Sequence, residues 1–66
     1  MNINKLKGKI VENGMNNARF AAAIGINYAT LCRKLKAPEK ITIGEAAKMK
    51  IALNLTDADA IEIFLA

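Results

Sequence analysis

Histidine is absent from this chain, cysteine and proline occur once each, and no glycine-rich loop of the GxxxxGK type is present. Those gaps remove most metal, nucleophilic and nucleotide chemistry, because the usual ligands, bases and phosphate cradle are missing. The carboxylates also fall on separate predicted helices without a His or Cys partner. No acid–base pair therefore suggests a reaction, and the expectation is a non-enzyme with no catalytic residue, no cofactor and no metal site. Cys32 alone cannot close an internal disulfide, and no charged start with an apolar core of signal-peptide type opens the chain, so a reducing cytosol is the expected setting. No apolar run approaches the roughly 18 residues that suggest a membrane span, so no membrane partner is expected.

What remains is short, basic and rich in aliphatic residues. At 66 residues the chain is expected to form one domain over its whole length. Folding at that size buries only about 60% of the surface exposed by the unfolded chain, so stability is marginal. Net charge is +4, unevenly spread: residues 1 to 50 hold all ten Lys and Arg against three acids, +7, and residues 51 to 66 carry −3. A basic body suits a polyanion, with the acidic, apolar tail used elsewhere. The alternative is that the lysines only keep a small helical protein soluble.

Apolar spacing predicts five short helices and an all-α fold. In residues 2 to 13, Ile3, Leu6 and Ile10 recur at helical spacing between Lys5, Lys7 and Lys9, and Gly14 ends the segment. Asn16 can cap a second helix with Phe20, Ala21 and Ile24 on one face, closed by Gly25; Asn27 can cap a third, Tyr28 to Lys36, with Leu31 and Leu35 inward. Pro38 forbids its simple continuation. Thr42 with Glu45, and Thr56 with Asp59, have the spacing of capping boxes for two more helices. Their expected core stripes are Ile43, Ala46, Met49 and Leu53, then Ala60, Ile61 and Phe64. The "KITI" stretch has strand character, but no second strand exists to pair with it.

The second and third helices carry the most specific pattern. A helix-turn-helix unit needs a small residue where the two axes cross and a turn residue that tolerates the left-handed region. Ala21 and Gly25, four apart, supply them, while Phe20, Ile24, Ile26 and Leu31 lock one helix against the other. The motif spans about residues 17 to 36.

With Asn17 at its first position, this stretch resembles the helix-turn-helix of phage repressor and Cro-type proteins, a lambda-repressor-like DNA-binding domain. The segments "KLKGKIVENGMN", "ATLCRKLK" and "TIGEAAKM" together look like the small Cro-like proteins of temperate phages of Gram-positive bacteria. Three positions depart from that pattern. Asn17 is one methylene shorter than the usual glutamine; Lys34 replaces an apolar residue, shifting that packing role to Leu35; and Lys50 and Ile51 are exchanged, leaving Ile51 at the surface.

The resemblance implies a transcription regulator, a repressor that occupies a double-stranded DNA operator through the major groove in the cytosol, at the nucleoid, of a bacterial host carrying the phage or prophage. It places Tyr28, Ala29 and Arg33 nearest the base edges, with Thr30 beside them. Arg33 can fork onto guanine O6 and N7, and Ala29 can touch a thymine methyl. Asn17 and Asn27 at helix N-termini, and Lys34, Lys36, Lys40 and Thr42 around the third helix, are the candidate phosphate contacts. Tyr28 could instead cover apolar surface, Arg33 could touch phosphate alone, and Cys32 reads as a small helix residue.

One such unit contacts few base pairs, so these regulators bind as dimers, in some cases only on DNA. Ile51, Ile63 and Leu65 are the candidate dimer patch, unless the last helix merely closes the monomer core. The competing reading is an antirepressor-type interaction module, in which the same fold binds another phage repressor and uses the apolar tail patch rather than Arg33.

Overall fold

Side-chain caps and left-handed residues set the boundaries of the helices. The computed structural model describes residues 1 to 65, and five α-helices with one short 3-10 turn make up its regular structure: α1 Ile3–Glu12, α2 Asn17–Ile24, α3 Tyr28–Lys36, α4 Ile43–Ala52 and α5 Asp57–Phe64. The side-chain oxygens of Asn2, Asn16 and Asn27 accept from the backbone N–H of Lys5, Arg19 and Ala29 at 3.1, 2.8 and 2.8 Å, satisfying donors that a helix start leaves open. At α4 the reciprocal box is complete: Thr42 Oγ1 accepts from Glu45 N–H at 3.1 Å, and Glu45 Oε1 accepts from Thr42 N–H at 2.9 Å. Thr56 Oγ1 caps α5 by accepting from Asp59 N–H at 3.1 Å.

The ends of α1, α2 and α4 repeat one device. Gly14, Gly25 and Asn54 take positive φ (70°, 74° and 51°), and the residue after each turns back so that its N–H reaches a carbonyl five residues earlier. Ile26 N–H donates to Ala21 O at 3.0 Å and Gly25 N–H to Ala22 O at 3.2 Å, the paired pattern of a Schellman stop. The returning residues, Met15, Ile26 and Leu55, lie in or against the core. The expected glycine stops at Gly14 and Gly25 are therefore present, and Asn54 performs the same role unannounced. Residues 38 to 40, unassigned from sequence, form the 3-10 turn with Pro38 at its start, where its missing N–H costs nothing.

Helix α2 is central and packs on both α3 and α4, while α1 packs on α5. The core is Leu6, Ile10, Phe20, Ala21, Ile24, Leu31, Leu35, Met49, Leu53, Leu55 and Ile63. Two expected stripes need correction. Ile43 is 92% exposed, because Met49 and Leu53 set the inward face of α4 and Ile43, six residues before Met49, lies well round the helix from it. On α5, Ile63 is fully buried and Ile61 is 56% exposed; two residues apart on a helix, they cannot share a face. Docking of α1 selects between them, since Asn2 N–H donates to Ile63 O at 2.7 Å and holds that side of α5 inward. No helix among the described residues is long and apolar enough to cross a membrane.

Candidate nucleic-acid interface

Leu31 and Leu35, one turn apart, anchor α3 in the core, so helical geometry turns Ala29, Arg33 and Lys36 to the opposite side. All three are exposed, as is Tyr28 at the start of the helix; Thr30 is half-buried. Arg33 Nη2 donates to Thr30 Oγ1 at 3.3 Å, which lays the guanidinium along the outer face. A shallow cleft of about 440 Å³ joins Thr30, Arg33, Lys34, Lys36 and Lys40, running from the end of α3 to the 3-10 turn. A second, of about 520 Å³, joins Asn16, Asn17 and Tyr28 where the starts of α2 and α3 meet. The structure thus brings most of the sequence-predicted residues onto two depressions flanking one helix.

Asn27 and Thr42 are both committed as caps through their oxygens. What each has left for a ligand is a donor: the Asn27 amide NH₂ and the Thr42 hydroxyl hydrogen. Tyr28 lies beside Cys32 one turn on, and the hydrogen bond with that thiol, then its charge, then desolvation raise the phenol above its ordinary value. Tyr28 is accordingly neutral at any ordinary pH.

Lys34 already has a partner within the chain. Its ammonium lies 2.6 Å from Glu45 Oε1, and the side chains of the pair are only 18% and 17% exposed. The lysine spans from α3 to the cap of α4 and is already neutralised there. The hydrogen bond from Lys34, followed by that from the Thr42 backbone, holds the Glu45 carboxyl below the usual glutamate range. Glu45 itself, read from sequence only as a cap, belongs to the surroundings of this face. Nothing local could have signalled that, since Lys34 and Glu45 are 11 residues apart.

Charge pairing elsewhere sharpens the contrast. Lys5 contacts Glu62 and lies 3.4 Å from Asp59, Lys9 lies 3.3 Å from Glu12 and 3.4 Å from Asp59, and Lys50 lies 2.9 Å from Asp57. The acids of the tail are therefore paired with lysines of α1 and α4. Lys5 and Lys9 are raised above the usual lysine value, chiefly by hydrogen bonds to Glu62 and Glu12 respectively. Among the described residues no carboxylate pairs with Arg33, Lys36 or Lys40. Lys7, Arg19 and Lys48 are likewise without a carboxylate pair among the described residues, but they lie one each on α1, α2 and α4, whereas Arg33, Lys36 and Lys40 fall within eight residues on and after α3, with exposed Glu39 the one acid in that turn.

The expected dimer patch is only partly at the surface. Ile51 and Leu65 are exposed, but Ile63 is core and leaves the patch. In its place an apolar groove of about 260 Å³ runs between α4 and α5, with Ile43, Ala46, Ala47, Ile61, Phe64 and Leu65 in its walls. Ile51 extends the same outward row of α4 one turn beyond Ala47. Ile43 and Ile61 were missed because sequence periodicity assigned both to the core.

Compared with protein-family models, curated proteins and solved structures, the chain matches none.

Proposed function

We propose that this protein is a sequence-specific, double-stranded-DNA-binding transcription regulator of the helix-turn-helix, Cro-like repressor type, acting in the cytosol of a bacterial host of a phage or prophage. The observation that carries this reading is the outer face of α3, where Arg33 and Lys36 are exposed beside Ala29 with no carboxylate partner among the described residues, while Lys5, Lys9, Lys34 and Lys50 are each paired with one. A helix of this diameter fits the major groove, and an arginine there can fork onto guanine O6 and N7. Ala29 offers a methyl to thymine, and Thr30, hydrogen-bonded to Arg33, steers the fork. Tyr28 lies at the edge of the same face. Lys36 and Lys40 supply phosphate contacts on one flank and Asn17, Asn27 and Thr42 donate from helix starts, fixing register without reading sequence.

The reading includes a dimer. The longest principal extent of the chain is 27 Å, less than the roughly 34 Å between half-sites one helical turn apart, so one copy cannot reach both. The α4–α5 groove with Ile43, Ile51, Ile61 and Leu65 is the face for the second copy. In this reading the two copies can complete their association on DNA, where the two half-sites bring these apolar faces together. Repression then follows from occupancy of an operator that overlaps a promoter.

Selection of the purified protein against a random duplex library at near-physiological salt tests this proposal. Recovery of an inverted repeat with half-sites about one turn apart supports it; recovery of only salt-sensitive background sequence overturns it. The same apolar groove favours one second reading, an interaction module that docks on a partner repressor. In that case Arg33→Ala leaves partner binding intact and Ile61→Glu abolishes it.

A further inference from the structure

Four cationic side chains line the cleft at the end of α3, yet among the described residues only Lys34 of the four has a carboxylate against it. That carboxylate is held from two sides. Glu45 Oε1 accepts from both Lys34 Nζ, at 2.6 Å, and Thr42 N–H, at 2.9 Å, so the acid is fixed to the start of α4 and cannot follow the lysine outward. Less than a fifth of either side chain is exposed, and a pair so placed is poorly screened by salt. Two of the three ammonium donors of Lys34 already meet the two oxygens of Glu45, so a DNA phosphate competes for this lysine with an anion seated against it.

We infer that Glu45 is a positioning residue of the DNA face, serving as an internal counter-ion that keeps Lys34 out of the phosphate contacts and leaves Lys36 and Lys40 to make them from this cleft. The inference rests on the DNA-binding reading above. Its consequence is a lower sequence-independent affinity than the cluster of lysines suggests, because each phosphate neutralised adds about 0.9 to the slope of log K against log salt. The same contact ties α3 to the cap of α4, a second anchor beside Leu31 and Leu35 for the helix that carries Arg33.

The test is the salt dependence of binding to one duplex of arbitrary sequence, for the wild type, Lys34→Met, Glu45→Gln and the double variant. Glutamine keeps an oxygen to accept from Thr42 N–H while deleting the charge, and methionine keeps the stem of the lysine. Expected are an unchanged slope for Lys34→Met, a slope steeper by about 0.9 for Glu45→Gln, and a return to the wild-type slope in the double variant. A slope shallower by about 0.9 in Lys34→Met overturns the inference, and so does an unchanged slope in a folded Glu45→Gln. Should Glu45→Gln fail to fold, the Lys34→Met result decides alone. If the wild type shows no salt-dependent binding to any duplex, the DNA reading itself is overturned and this inference with it.

Discussion

Arg33 and Lys36 sit three residues apart on the exposed side of α3, yet the roles proposed for them differ in kind. A guanidinium forked onto a base discriminates; an ammonium on a phosphate does not. Replacing Arg33 by Ala should therefore relax preference at one base position by about 1 to 3 kcal/mol. Lys36→Ala should weaken all duplexes alike and lower the salt slope by about 0.9. Competition binding against single-base operator variants separates the two; equal losses on every sequence for both variants would remove Arg33 from base reading. Residue type and position were legible for this pair because α3 is anchored by Leu31 and Leu35, which leaves one choice of outer face. Lys34 was not legible, since its partner comes from another helix.

At the scale of the element, the stops of the helices and the cap of α4 carry the predictions. Gly25 has φ +74°, and a Cβ there would meet nothing within 4 Å, so Gly25→Ala is opposed by backbone conformation alone. A left-handed alanine costs about 1 to 2 kcal/mol, and in a domain of this size each kcal/mol moves Tm by roughly 4 to 8 °C. A thermal melt should show that drop without loss of helical signal in the folded baseline. Acid should act on the caps of α4 and α5. Glu45 is depressed by Lys34 and then Thr42; for Asp59, desolvation pushes upward but hydrogen bonds from Thr56 and Lys5 and the charge of Lys9 outweigh it. A depressed carboxyl contributes stability that is complete above its unfolded value, about 4, and is lost as pH falls through the folded value. Chemical denaturation should thus show stability flat from neutral pH down to about 5 and declining below about 4, with a shallower decline in Lys34→Met.

For the whole molecule, the question is which apolar residues serve the core and which are left outside. Ile63→Ala should cost about 2 to 5 kcal/mol, the range for emptying a packed site, a large share of the stability of so small a domain. Ile61→Ala should stay within about 0.5 kcal/mol. Denaturant midpoints compare the two directly, and equal losses would reverse the assignment of faces on α5. Ile61→Glu places a charge in the α4–α5 groove, and it should leave the monomer folded while abolishing cooperative occupancy of a two-half-site operator. Unchanged cooperativity would move the dimer face elsewhere.

The local sequence determined where helices begin and end, because caps at Asn16, Asn27, Thr42 and Thr56 and stops at Gly14 and Gly25 act over three to five residues. It also determined the inner faces of α2 and α3, whose buried residues Phe20, Ala21, Ile24, Leu31 and Leu35 admit one amphipathic solution. Helices α4 and α5 are apolar on more than one side, so spacing could not choose among Ile43, Met49, Ile61 and Ile63. Only the docking of α1 on α5, and of α2 on α4, made that choice. The distribution of charge was decided the same way: Lys5 meets Glu62 across 57 positions of sequence, and Coulomb attraction acts on distance in space rather than along the chain.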